Sequence, residues 1–146
     1  MKIILLSFSD YKGGASIAAY SIFKSIKKKN VLFLTVYKKF KSSREIYSSI
    51  KKIYIFKLRV IEKILIYFFS KKKFHQSLNI FNTFTQKKIS KLSPDLINIH
   101  WINRSMISLK ELISFKEKIV VSLHDMWFIN STEHYFIKKK KENLLS

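Results

Sequence analysis

The 146-residue chain contains no cysteine, one proline and two glycines. Without cysteine, disulfide scaffolds and thiolate zinc sites are excluded. So little proline and glycine excludes collagen-like and low-complexity classes. Acidic residues are also scarce, 9 Asp+Glu against 29 Lys+Arg, for a net charge of +20. No run of about 18 uncharged apolar residues occurs, so a spanning helix is not expected. What remains is apolar: 47% of residues are hydrophobic, too many for a disordered basic tail and enough for a buried core in a chain of one-domain length.

The positive charge has two readings. One is attraction to an anionic partner, nucleic acid or membrane. The other is biased composition, because the 29 cations are 26 Lys and only 3 Arg (Arg44, Arg59, Arg104), alongside 22 Ile. The distribution favours some role for the charge. Residues 11–94 hold 20 Lys+Arg against Glu45 and Glu62, a balance of +18. Drift alone would spread the charge more evenly, so a negative surface opposite the first two-thirds stays open beside biased composition.

Residues 3–8 (IILLSF) form a continuous apolar run, the pattern of a strand buried on both faces. The preceding lysine resembles a signal peptide in charge alone, and no small-residue cleavage site follows. The run is expected to be a first strand and the protein cytoplasmic. A helix is predicted over residues 15–29, with Ile17, Tyr20, Phe23 (with Ala19) and Ile26 at helical spacing. Residues 31–37 (VLFLTVY) read as a second strand. Strand, loop, helix and strand within 37 residues indicate a parallel α/β sheet.

A long helix is predicted over residues 44–69, with Ile53, Val60, Ile61, Ile64, Leu65 and Phe68 on its apolar face. Lys52, Arg59, Glu62 and Lys63 fall on the other. A further helix is expected through Leu78, Phe81, Thr85, Ile89 and Leu92, ending before Pro94. Residues 96–101 (LINIHW) and 119–123 (IVVSL) read as strands, with a short helix over 108–115 between them. Residues 138–146 read as a basic tail without a core role. The domain is expected to span residues 1–137.

Three polar features follow predicted strands. Gly13 and Gly14 open the first helix, where free N–H groups attract anions. The pair equally fits a tight turn, and neither GxGxxG nor a P-loop Lys-Ser/Thr is present. His100, Trp101 and Asn103 follow one strand, and His124 and Asp125 another. In open parallel sheets, ligands bind outside the carboxyl ends of the strands, where all three features belong. A structural role for each histidine and core packing for Trp101 and Trp127 are the competing readings. A metal site would need His100, His124 and His134 together, and no HxH or HExxH spacing supports it. His75 reads as a solvated surface residue, and no GxSxG elbow exists.

The segments KIILLSFSDYKGGASIAAYSIFKSI, SPDLINIHWIN and VVSLHDMWFIN, in that order, resemble the N-terminal domain of bacterial glycosyltransferase family 4 enzymes. The likeness runs from Lys2 to about Tyr135. It implies a GT-B fold, two Rossmann-like domains facing a cleft, and here the acceptor-side half. It further implies transfer of a sugar from a nucleotide-diphosphate sugar, with retention and without a metal or other cofactor, in cell-surface glycan assembly. Gly13 and Gly14 would lie near the donor diphosphate and His124 at the donor sugar. Asp125 would shape that loop, and His100 would line the acceptor side with Trp101 and Asn103.

Two departures stand out. The family's TGGCHY is here Asn130-Ser131-Thr132-Glu133-His134-Tyr135. The donor-binding domain, with its Glu-x7-Glu segment, has no counterpart in these residues, so the domain is expected to be inactive alone. Expected partners are a glycan or lipid-linked acceptor, an anionic membrane surface at the inner face, and a separately encoded donor-binding domain. An alternative is a basic membrane-surface module without catalysis, suggested by the amphipathic residues 44–73. Nucleic acid is disfavoured, since arginine is scarce and no binding motif is present.

Overall fold

The computed structural model describes residues 1–26, 30–39, 46–48, 52–69 and 76–129, with backbone alone for 46–48. The strands are β1 (Ile3–Ser7), β2 (Val31–Thr35), β3 (Ile46–Ser48), β4 (Leu96–Trp101) and β5 (Lys118–Val121). The helices are α1 (Gly14–Ser25), α2 (Lys52–Phe69), α3 (Thr85–Ser90) and α4 (Leu109–Ile113). All five strands are parallel, in the order β3-β2-β1-β4-β5. This is the Rossmann-like α/β sheet that the sequence predicts.

Strand alternation divides the core between the two faces. Leu5, Val31 and Phe33 point to one side and pack with Ala19 and Phe23 of α1. Ile4, Leu6, Leu34, Ile97 and Ile99 point to the other, where Ile55 of α2 and Ile89 of α3 cover them. Both faces are thus buried, which explains why β1 and β2 read as unbroken apolar runs. Because strand order reverses at β1, the loops after β1 and β4 leave the sheet toward opposite faces. The gap between them is the topological switch point.

Four expectations need correction. The predicted helix over 44–69 contains a strand, β3, and α2 begins only at Lys52. Its apolar face is also turned over. Ile53 is 68% exposed and Phe68 73%, and Val60, Ile61 and Ile64 are exposed, while Ile55, Leu58 and Glu62 are buried. The cause is Glu62, whose carboxylate accepts hydrogen bonds from the Leu78 and Asn79 amides and from Ser105 Oγ. A buried carboxylate needs such donors, and meeting them sets the rotation of the helix.

The helix expected through residues 78–92 shrinks to α3. Asn79 and Phe84 adopt left-handed backbone angles, φ 49° and 60°, which interrupt a helix. Glu111 takes the residue 83 amide hydrogen that a helix would use internally, while Glu62 accepts those of residues 78 and 79. In α1, Ile17 is exposed, whereas Ala19 and Phe23 face the sheet as expected, joined by the small residue Ser16. Ser16 Oγ lies 3.3 Å from Ser7 Oγ, a close approach that a larger residue would block. The expectations for residues 130–146, His75 and the 71–73 lysines fall outside the described residues. No helix among the described residues is long and apolar enough to cross a membrane.

Candidate functional site

The loop after β1 stays tied to both neighbours. The Phe8 amide donates to Trp101 O at 2.7 Å, and Phe8 O accepts from the Val36 and Tyr37 amides. Asp10, almost fully buried, accepts the Lys39 amide on both oxygens, at 2.9 and 3.1 Å. Ser9 Oγ accepts the Tyr11 and Lys12 amides, closing the turn. Gly13 then sits at φ 89°, ψ 154°, a conformation essentially reserved for glycine. Among the described residues no side chain caps α1, and no acid lies in its first turn, so its N-terminus keeps its partial positive charge. A Cβ on Gly14 would meet nothing within 4 Å. Glycine is therefore required by backbone angle at position 13 and by nothing among the described residues at position 14.

The loops after β4 and β5 are joined side chain to side chain. His100 Nδ1 and His124 Nε2 lie 2.9 Å apart, with the rings stacked at 26°. Trp101 Nε1–H donates to Asp125 Oδ2 at 2.9 Å, and Asn103 Nδ2 approaches the same oxygen at 3.5 Å. Asp125 Oδ1 accepts the Trp127 amide at 3.1 Å, and Trp127 Nε1–H donates to Ser77 O at 2.7 Å. Asp125 is thus the acceptor that fixes the β5 loop against the β4 loop.

His100 is only 2% exposed, and among the described residues its Nε2 has no hydrogen-bond partner. Burial, and next the adjacent His124 ring, push its pKa from 6.5 down to about 4, so the ring is neutral at physiological pH. Hydrogen-bond economy then assigns the tautomers. An orphaned buried N–H is rarer than an under-used acceptor. The proton therefore belongs on His100 Nδ1, donated to His124 Nε2. With Nε2 accepting, His124 carries its own N–H on Nδ1, a donor on an exposed side chain.

Behind this edge lies a second device that sequence reasoning missed. Arg104 and Ser105 are consecutive left-handed residues, φ 62° and 58°. Two such residues cost on the order of 1–3 kcal/mol each unless their surroundings impose them. Here Ser105 Oγ donates to Glu62 Oε2 at 2.7 Å, and its amide donates to Asn79 Oδ1 at 3.0 Å. Ser108 and Glu111 close a capping box at α4 just downstream. The turn carries the Arg104 guanidinium back over the Trp101 ring, 5.2 Å from its centroid. The spacing Ser108-x-x-Glu111 was visible in the sequence as a cap signal. The role of Glu62 was not, because an acid on a lysine-rich helix face reads as solvated.

Because the sheet is parallel, Gly13, Gly14, His100, Trp101, Asn103, His124 and Asp125 all belong to its carboxyl edge. Direct contacts join His100 to His124, and Trp101 and Asn103 to Asp125. The diglycine shares the edge through strand order, β1 being the neighbour of β4. Among the described residues, no three His, Asp or Glu side chains come close enough to hold a metal.

The fold and its switch-point edge define the class: a Rossmann-like α/β domain with a polar, loop-built site outside the carboxyl ends of its strands. No protein-family profile, curated protein or solved structure matches the chain.

Proposed function

We propose that the chain is a glycosyltransferase-like domain of the family 4 type, the acceptor-side half of an enzyme that moves a sugar from a nucleotide-diphosphate sugar to a glycan or lipid-linked acceptor. The observation that carries the reading is the coupling of His100 to His124 and of Trp101 to Asp125. These bonds join the two segments, HWIN and HDMW, on which the family resemblance rests. In this reading the His124 Nδ1–H donates to a hydroxyl of the donor sugar, and Asp125 holds the imidazole-bearing loop in position. The uncapped start of α1 faces the leaving diphosphate, and its N–H groups stabilise the charge that develops there. Trp101 and Asn103 line the acceptor side. In this reading a donor-binding domain forms the opposite wall of the cleft.

Saturation-transfer NMR with a panel of nucleotide-diphosphate sugars tests this directly. The reading expects sugar-proton signals from at least one donor, lost in H124A. No signal from any member, or signals unchanged in H124A, contradicts it.

A second reading, docking on an anionic membrane surface, is favoured by α2. Its exposed face carries Ile53, Phe56, Val60, Ile64 and Phe68, with Lys57 and Lys63 also exposed, while its only acid is buried. Such a helix suits the interface of an anionic bilayer. The two readings are compatible where the acceptor is lipid-linked. Sedimentation with phosphatidylglycerol vesicles should capture the chain at low salt, and less of an I64S/F68S variant. Equal capture of both would remove α2 as the docking face.

A further inference from the structure

The chain places 26 lysines but only three arginines, and two of the three meet on a single ring. Arg59, from α2, stands 5.8 Å from the Phe8 ring centroid. Arg104, from the turn after β4, stands 5.7 Å from the same centroid. Phe8 itself is the first residue beyond β1, 5.7 Å from the Trp101 ring, so both guanidinium groups sit at the switch point between β1 and β4.

Bringing two cations together is unfavourable unless something anionic answers them. Burial, and then Arg59, lower the pKa of Arg104, with Tyr37 acting in the opposite direction. Among the described residues the only ion pair joins Asp95 to the N-terminal amine, at the amino ends of the strands. The carboxylates of the carboxyl edge are already occupied. Asp10 binds the Lys39 amide, and Asp125 binds Trp101 and Trp127. The strained turn at Arg104 and Ser105 holds one of the two cations in place, through Glu62.

We infer that Arg59 and Arg104, seated on Phe8, form an anion site for a phosphate or diphosphate group. Lysine would supply the same charge, and this chain uses it elsewhere almost without exception. Arginine adds a planar fork of N–H donors that grips two oxygens of one phosphoryl group while its face stays on an aromatic ring. Two forks from different elements match a doubly charged oxyanion better than a lone carboxylate. Which molecule carries the phosphate rests on the sugar-transfer reading, whereas the site itself does not.

Arg104 covers the Trp101 indole, so tryptophan fluorescence reports occupancy. The full chain is titrated with pyrophosphate at constant ionic strength, and separately with phosphatidylcholine vesicles carrying phosphatidic acid. R59K, R104K and, as a control on exposed charge, K110Q are titrated alongside, each checked for folding by circular dichroism. The expected result is a saturating response, weakened at least tenfold in R59K and R104K and unchanged in K110Q. Saturation by pyrophosphate assigns a soluble phosphate compound, and saturation by the vesicles alone assigns a lipid phosphate. A response that never saturates, or that survives equally in R59K, R104K and K110Q, overturns the site. Saturable pyrophosphate binding in a chain that gives no signal with any nucleotide sugar upholds the site and removes only the transfer reading.

Discussion

Burial holds the His100 imidazole neutral down to about pH 4, whereas in the unfolded chain the ring titrates near 6.5. Above pH 6.5 neither state takes up the proton, and the group leaves stability untouched. As pH falls from 6.5 to about 4, the unfolded chain binds a proton that the folded one refuses, so stability falls. The total is on the order of 3 kcal/mol, complete once the pH passes below the folded value. Urea denaturation across this window should show the decline, and H100Q should flatten it. An identical decline in H100Q would mean that the ring is not buried as described. The two glycines make a second contrast at this scale. G13A forces a side chain into backbone angles that only glycine adopts comfortably and should destabilise by about 1–2 kcal/mol. G14A enters open space at a helix start, where it should be neutral or stabilising by about 0.5 kcal/mol. Thermal melts of the two variants decide it. Should G14A also weaken nucleotide-sugar binding while the fold is intact, the space beside Gly14 belongs to the ligand.

Among the elements, α2 separates periodicity from packing. Its apolar residues fall into a clear helical stripe, yet that stripe faces outward and the face with Glu62 turns in. I55A should therefore cost about 2–5 kcal/mol, as a core deletion does, and I64A about 0.5 kcal/mol or less. Chemical denaturation giving the opposite ranking would restore the rotation that periodicity predicts. Strands β1, β2 and β4 were legible in the sequence, because burial on both faces leaves an unmistakable apolar run. The short helix α4 was legible too, from Leu109, Leu112 and Ile113 at helical spacing. What could not be read depends on partners distant in sequence. Glu62 meets Ser105 across 43 residues, and Thr83 meets Glu111 across 28. Both acids redirect backbone that local pattern assigns to a helix. Strand β3 has three residues, too few for alternation to stand out.

For the molecule as a whole, the parallel sheet makes two unlike edges. At the amino edge the chain is tied to itself: Lys2 Nζ donates to Leu92 O, and Asp95 binds both the Lys2 amide and the N-terminal amine. At the carboxyl edge stand the polar groups that sequence reasoning assembled, together with two arginines that it did not. The histidines, Trp101 and Asp125 could be placed on one edge from the sequence because parallel strand direction follows from the β-α-β pattern. Their direct hydrogen bonds could not, since these depend on how the loops close. The central claim is that this edge, at the switch point, is where a ligand binds. Backbone amide shift mapping of the full chain, with the nucleotide-diphosphate sugar or pyrophosphate that binds most strongly, tests it most directly. Perturbations should gather at residues 9–14, 100–105 and 122–127. Perturbations gathered instead around Lys2, Asn30, Asp95 and Lys118, at the amino ends of the strands, would contradict it.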